Sequence, residues 1–207
     1  MHLKRNKLTT KIPIARKGTS YVARARSNYK FGVPVVIAVR DILKLARTSK
    51  EVKYAVSKGL IKINGRKVKD INECVKLFNI LEAEKKFVLT ILPTGRFSLK
   101  ETKDNFKTCK IIGKKIMKNK KVQFNLHDGT NLVSNEKLNI GDSLEFGFDS
   151  KIKKIVHLNK GAKAFVISGR NIGLEGKVEE VKDNKVILKL NEDERKVELD
   201  KSHIIAI

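Results

Sequence analysis

The most regular part of the chain is a segment in which apolar residues recur every three or four positions. These residues are Val36, Val39, Ile42, Leu43 and Ala46. Their spacing predicts a helix over roughly 35–47. Thr48, followed three residues later by Glu51, forms a capping-box pattern that predicts the start of a second helix. Gly59 suits the left-handed position that would end this helix.

An alternating pattern follows the second helix. Leu60 to Ile63 is typical of a strand, Asn64-Gly65 is a strong two-residue hairpin turn, and residues 66–69 form the returning strand. The chain therefore predicts a small module of two helices and a hairpin, which we place at 35–92.

Beyond Leu81, short apolar runs separated by turn residues indicate a strand-rich remainder. The predicted strands are 87–92, 109–117, 121–126, 143–148, 151–157, 164–168, 175–181, 185–190, 195–199 and 204–207. Their spacing predicts a central antiparallel β domain over 93–157 and an SH3-like barrel over 158–207. The expected fold class is α+β and mostly β.

The opening stretch shows neither helical nor alternating periodicity. Its apolar content looks too small to bury, so residues 1–34 are expected to form an extended or disordered arm when free in solution. Tyr21 and Tyr29 in this arm would be free to stack on bases.

Charge adds a strong functional signal to this picture. The 207 residues include 46 Lys and Arg against 22 Asp and Glu, a net charge of +24. Residues 1–40 hold ten basic side chains and no acidic one, and residues 41–70 add nine basic and three acidic side chains. The positive charge is therefore concentrated in the first third of the chain, which predicts a polyanionic partner there.

Nucleic acid is the favoured polyanion, and an acidic membrane is the rival. The longest apolar run, Val33 to Val39, has seven residues, far fewer than the roughly 20 that span a bilayer. The predicted RNA-binding side chains lie in the arm, on the outer faces of the two helices and on the hairpin. They are Lys4, Arg5, Arg16, Lys17, Arg24, Arg26, Lys30, Arg40, Lys44, Arg47, Lys50, Lys53, Lys58, Lys62, Arg66 and Lys67.

Residues capable of catalysis or metal binding do not form a recognisable pattern. His2, His127, His157 and His203 have no second His or Cys at ligand spacing, and Cys74 and Cys109 are expected to be reduced thiols. His127-Asp128-Gly129 is interpreted as a turn, with a surface RNA contact as a secondary option. Glu192-Asp193-Glu194 is interpreted as a solvated turn. We therefore predict no catalytic residue, metal, cofactor or small-molecule substrate.

Two segments resemble modules of RNA-associated proteins. Arg40 to Ala55 followed by Lys58 to Val68 resembles the small RNA-binding module named after bacterial ribosomal protein S4. Residues 159–178 are similar to a KOW motif, whose basic loop residues contact RNA or protein, and this resemblance adds Arg170 to the expected RNA-binding residues.

The order of the motifs resembles one family across nearly the whole chain. His2 to Arg5, the module, Gly95-Arg96-Phe97, Lys121 to Gly129 and the KOW segment together resemble the archaeal and eukaryotic small-subunit ribosomal protein family S4e, in its archaeal type. The resemblance implies a non-catalytic structural protein of the small ribosomal subunit. Its expected partners are ribosomal RNA and neighbouring small-subunit proteins, and its expected location is the cytoplasm.

Two other functions use the same modules. A pseudouridine-synthase-type enzyme carries the S4-type module, but it needs a separate catalytic domain. The arm, the module and the terminal barrel leave about 60–70 residues, which is too few for such a domain. A KOW-type transcription factor would instead bind RNA polymerase.

Overall fold

The chain consists of two compact structural units. A computed structural model describes residues 2–27, 31–117, 121–149, 151–191 and 195–207. The first unit is Met1–Lys107 and the second is Thr108–Ile207. The fold is α+β and mostly β, as expected, with two short α-helices among the described residues.

Within its described residues, the first unit contains nine strands and a short helical region. The strands are β1 His2–Lys4, β2 Tyr21–Ala23, β3 Gly32–Pro34, β4 Lys62–Ile63, β5 Arg66–Lys67, β6 Cys74–Lys76, β7 Ile80–Ala83, β8 Lys85–Ile91 and β9 Phe97–Glu101. They form a five-stranded antiparallel sheet in the order β5-β4-β7-β8-β9 and the two-stranded sheets β1-β2 and β3-β6.

The arm is more ordered than the sequence suggested. Leu3 of β1 is opposite Val22 of β2, and Ile12, Val22 and Ala25 are buried. The backbone N–H of Phe97 donates to the carbonyl of Lys11 at 2.7 Å, which ties the arm to the edge strand β9. The expectation of too little apolar content was wrong because scattered apolar residues can be buried against other elements without any periodicity of their own.

The first predicted helix is shorter than 35–47. Helix α1 spans Val35–Ile37 and continues as a π-helical turn over Ala38–Ile42. Lys44 then adopts a φ of 57°, a left-handed conformation that cannot continue the helix. Residues 35–39 are all buried, so this stretch lies in the core rather than presenting one apolar face.

The second helix confirms its predicted caps. Helix α2 spans Ser49–Ser57, and the hydroxyl of Thr48 accepts a hydrogen bond from the Glu51 N–H at 3.3 Å. Gly59 ends the helix with a φ of 70°. The hairpin turn is confirmed as well, because Asn64 and Gly65 have φ values of 50° and 77°, as a type I′ turn requires.

The predicted domain boundary after residue 92 falls between two paired strands. Ile91 of β8 is opposite Phe97 of β9, so the sheet of the first unit includes residues that were assigned to the central domain. The pairing of a strand with its neighbours is a long-range property that the local pattern did not contain. The other predicted boundaries, at 34/35 and 157/158, stay predictions.

The strands that follow form two further five-stranded sheets. They are β10 Phe106–Ile116, β11 Val122–Leu126, β12 Asn131–Ser134, β13 Ser143–Gly147, β14 Ile152–Val156, β15 Lys163–Val166, β16 Glu175–Val181, β17 Lys185–Leu190, β18 Lys196–Asp200 and β19 Ile204–Ala206. Their orders are β12-β11-β10-β13-β14 and β18-β17-β16-β15-β19.

Each of these sheets has its own buried cluster. Phe124, Leu126 and Leu144 belong to the first cluster, and Val166, Val178 and Leu188 belong to the second. The strands at 175–181 and 185–190 have the predicted bounds. Closure of the last sheet into an SH3-like barrel stays a prediction.

Candidate nucleic-acid interface

Helix α2 presents a basic surface because its apolar residues are turned inward. Val52 and Val56 are buried, whereas Lys50, Lys53 and Lys58 are exposed. The surface also carries an exposed aromatic residue that was not among the predicted site residues. Tyr54 is 63% exposed, and the ammonium of Lys58 lies over its ring at 5.5 Å from the centroid.

Three basic residues expected on one face of the first helix are separated by the structure. Arg40 is in the π-helical turn. Lys44 lies beyond the end of this turn in a left-handed conformation, and Arg47 directly precedes Thr48, the N-cap residue of α2. The prediction of a shared helical face was therefore wrong, since the helix ends before Lys44.

Arg40 serves as an internal connector. Its guanidinium contacts Asp41 at 3.3 and 2.9 Å and donates to the Ser49 hydroxyl at 2.8 Å. These bonds join the π-helical turn to the first residue of α2. A guanidinium engaged in this way has few donors left for phosphate.

The start of α2 is fixed by Glu51. Its carboxylate accepts from the Arg47 N–H and from the Thr48 hydroxyl, each at 2.8 Å. The hydrogen bond from the Arg47 N–H, and to a smaller extent the one from the Thr48 hydroxyl, lower the pKa of Glu51 below its ordinary value. The helix therefore begins at a fixed position, and this fixes where its lysines lie.

The hairpin also mixes exposed and engaged cations. Lys67 is exposed, Lys62 is half-buried, and the Arg66 guanidinium forms an ion pair with Glu73. Glu73 also accepts from the Lys69 N–H at 2.7 Å and the Asp70 N–H at 3.3 Å, so it organises the loop after the hairpin.

Three arginines of the arm are engaged internally. The Arg5 guanidinium donates to the Thr19 carbonyl at 2.6 Å, to the Thr19 hydroxyl at 3.0 Å and to the Ala15 carbonyl. Arg26 forms an ion pair with Asp70 at 3.2 Å. Arg24, which is half-buried, also has an interaction partner.

In the first unit, nine of the predicted RNA-binding residues are exposed and have no carboxylate within ion-pair distance in the part of the chain that the structure describes. We refer to them as the unpaired cations: Lys4, Arg16, Lys17, Lys44, Arg47, Lys50, Lys53, Lys58 and Lys67. Because no internal acid neutralises them, their charge is available to an external anion.

Two further predicted residues lie elsewhere. Arg170 is exposed, in the second unit, between β15 and β16. Lys30 lies outside the described residues, as do Tyr29 and the acidic run Glu192 to Glu194.

A basic cleft is associated with the arm. We call it the arm cleft; it has a volume of about 890 Å³. Its lining includes Lys4, Arg16, Tyr21 and Arg96, with Arg96 contributed by the turn between β8 and β9. Arg96 could not be predicted as a site residue, because it is 75 positions or more along the chain from the arm residues that it joins.

The histidines and acids of the second unit have structural roles. His127 accepts the Lys110 N–H on Nδ1 at 3.1 Å, which makes it part of the sheet packing. The buried Asp142 accepts from the Leu158 N–H at 3.1 Å and contacts His157 Nδ1 at 2.9 Å. Asp128 accepts from the Thr130 N–H at 2.9 Å, in the turn that the sequence predicted.

A buried lysine joins the two sheets of the second unit. Lys110, on β10, donates from its ammonium to the carbonyls of Lys201 and Ile204, the latter at 2.7 Å. Burial lowers the pKa of Lys110 from 10.5 to about 8. This cation is structural and was absent from the predicted binding set.

The chemistry of the described residues does not indicate an active site. Within the described ranges, no cluster of three or more His, Cys, Asp or Glu side chains could hold a metal ion. Cys74 and Cys109 form no disulfide in the described part of the chain, and burial raises the pKa of Cys74 to about 11, which makes it a poor nucleophile. No helix in the described part of the chain is long and apolar enough to span a membrane.

Comparison with known proteins gives a consistent set of relatives. The model of ribosomal family S4e matches residues 83–152. The small ribosomal subunit protein eS4 of Methanocella arvoryzae is 31% identical over 190 residues, covering 87% of this chain and 81% of the relative. The eS4 protein of Pyrobaculum islandicum is 29% identical, covering 97% of this chain and 93% of the relative.

A solved structure has the same fold. The crystal structure of the 30S ribosomal protein S4e from Thermoplasma acidophilum superposes with a TM-score of 0.72. It covers 85% of this chain and 94% of that protein at 23% sequence identity.

Proposed function

The chain belongs to ribosomal family S4e, and from this premise we propose that it is a structural, non-enzymatic constituent of the small ribosomal subunit. In this role it binds ribosomal RNA and supports translation, and its location is the ribosome in the cytoplasm. The observation that carries the proposal is the agreement of the 31% identical eS4 relative along 87% of the chain.

The unpaired cations support ribosomal RNA as the partner. Each one that contacts a phosphate releases condensed counterions, so the affinity for RNA is expected to fall steeply as salt rises. Lys50 and Lys53 on α2 and Lys67 on the hairpin would contact the RNA backbone as point charges. Arg170 and the rest of the second unit would contact RNA or neighbouring small-subunit proteins.

The engaged arginines have a different role in this proposal. Arg40, Arg66 and Arg5 hold the π-helical turn, the hairpin loop and the arm in place. Rigid elements present their lysines to RNA at a lower entropic cost than flexible ones.

The two alternative functions receive no support from the comparisons. The relatives reported above are named as ribosomal proteins of the small subunit. Neither a pseudouridine-synthase-type enzyme nor a KOW-type transcription factor is indicated by these names.

Gradient sedimentation of a cell lysate tests the proposed function. At low salt the chain is expected to migrate with the small subunit, and at high salt it is expected to dissociate. A chain that migrates as free protein at every salt concentration would contradict the proposal.

A further inference from the structure

The arm cleft combines a positively charged rim with an apolar interior. Lys4, Arg16 and Arg96 supply the charge, whereas Leu8, Ile12 and Ile14 supply apolar surface. The residues that line it include no Asp or Glu. A ligand for this cleft must therefore have negative charge at its edge and a flat or apolar part inside.

The rim of the cleft is held in place before any ligand binds. The Arg5 side chain bonds to Ala15 and to Thr19, and the Arg5 N–H donates to the Ser20 carbonyl at 2.9 Å. Gly18 allows this packing, because a Cβ there would lie 3.0 Å from the Arg5 guanidinium. The loop over 15–20 is thus closed around one arginine, and a ligand need not order it.

An aromatic ring is accessible at the cleft. Tyr21 lines it and remains 52% exposed, with the His2 ring in an edge contact at a centroid distance of 4.5 Å. An exposed aromatic ring beside cations is the arrangement with which proteins stack single-stranded bases. Tyr54, the other exposed tyrosine of the described residues, lies outside the cleft and has a lysine over its ring.

We propose that the arm cleft binds one unpaired nucleotide of RNA, with its base against Tyr21 and its phosphates beside Lys4, Arg16 and Arg96. The inference rests on the proposed function and adds the kind of RNA element that the arm recognises. The volume of about 890 Å³ lies within the range of roughly 300–1,000 Å³ that is typical of ligand pockets. A base in a duplex is stacked between its neighbours, so it would have to leave the stack to reach the ring.

Binding of two labelled RNAs to the full chain tests this inference. The first is a single-stranded oligoadenylate of ten nucleotides, and the second is a ten-base-pair RNA duplex. The affinity of the chain for each RNA is measured by fluorescence anisotropy at low salt. Tyr21→Ala is expected to weaken binding of the unpaired RNA by about 5- to 150-fold, because one stacked base is lost. It should change binding of the duplex by less than about twofold, since the charges of the chain are unaltered.

Three variants serve as matched comparisons. Tyr21→Phe keeps the ring and should bind the unpaired RNA within about twofold of the unaltered chain. Tyr54→Ala removes the exposed tyrosine of the α2 surface, and any loss of affinity should be equal for the two RNAs, because that ring lies outside the cleft. Arg96→Gln should weaken binding of the unpaired RNA. It should also decrease the magnitude of the slope of log affinity against log salt by about 0.7. Far-UV circular dichroism checks that each variant is folded.

The outcomes separate this inference from the proposed function. If Tyr21→Ala weakens binding of both RNAs equally, or of neither, the cleft does not bind an unpaired nucleotide. Co-sedimentation of the unaltered chain with the small subunit would then still support the ribosomal role. A chain that binds neither RNA and never sediments with the subunit would overturn both.

Discussion

A single buried lysine in the second unit has an unusual environment for an ammonium group. Lys110 is 4% exposed, and its partners are the carbonyls of Lys201 and Ile204. In the described residues no carboxylate is within ion-pair distance of it. Desolvation therefore disfavours its charged form, which is the cause of its lowered pKa.

Lys110 makes the stability of the second unit depend on pH. Its pKa is about 8 in the folded chain and 10.5 when unfolded, so the unfolded state binds more protons between these values. Stability from this group is therefore expected to rise with pH across that window, by roughly 3 kcal/mol in total. Lys110→Met should remove this contribution while keeping much of the side-chain volume.

Urea unfolding of both proteins at several pH values between 7.5 and 10.5 measures the effect as a difference. Other lysines cancel in that difference, because both proteins share them. A constant difference in free energy of unfolding across the window would contradict the assigned role of Lys110.

Local chemistry at single residues was the part of the structure that the sequence predicted well. Thr48 and Glu51 form the expected cap, and Asn64 and Gly65 form the expected turn. These features depend on neighbours in the chain, so a short pattern contains them. The ion pair between Arg66 and Glu73 and the bonds of Arg5 depend on folding, so the pattern did not contain them.

The elements themselves divide the basic residues into two classes. Arg40 joins the π-helical turn to α2, whereas Lys53 is exposed on α2 with no carboxylate partner in the described part of the chain. Both were expected to bind RNA for the same reason, their charge. In the structure, basic residues such as Arg40 hold elements together, whereas basic residues such as Lys53 face solvent.

This division predicts opposite effects of two substitutions. Arg40→Ala should lower the free energy of unfolding by about 1–3 kcal/mol, because Asp41 and Ser49 lose charged hydrogen bonds. Lys53→Ala should leave stability within about 0.5 kcal/mol and weaken RNA binding instead. Chemical denaturation and RNA titration of both variants measure the split. Equal losses of stability would show that the two residues do not differ in this way.

The first helix shows why element bounds were harder to predict than element types. Its apolar spacing continued to Ala46, but Lys44 adopts a left-handed conformation and the helix ends at Ile42. Residues 35–39 are all buried, so no polar face alternates with the apolar one and the sequence pattern does not show where the helix ends. The β strands of the last sheet were easier, because Gly and Asp turns mark their ends and one face is buried.

At the scale of the whole molecule, the charge is divided as unevenly as the sequence indicated. Of the predicted RNA-binding residues that are exposed without a carboxylate partner in the described ranges, nine belong to the first unit and Arg170 belongs to the second, as does the buried Lys110. The arm cleft could not be predicted, because Arg96 joins Lys4 and Arg16 only through the pairing of β8 with β9 and the bond between Lys11 and Phe97. Net charge identified the partner class, and folding determined which cations can reach it.

The salt dependence of binding to small-subunit ribosomal RNA tests this account most directly. The slope of log affinity against log salt is compared between the unaltered chain and a variant in which Lys50, Lys53 and Lys67 are replaced by Gln. If these three lysines contact phosphates, the slope should decrease in magnitude by roughly 2–3. A variant that keeps both the slope and the affinity of the unaltered chain would contradict the claim that these unpaired cations bind the RNA backbone.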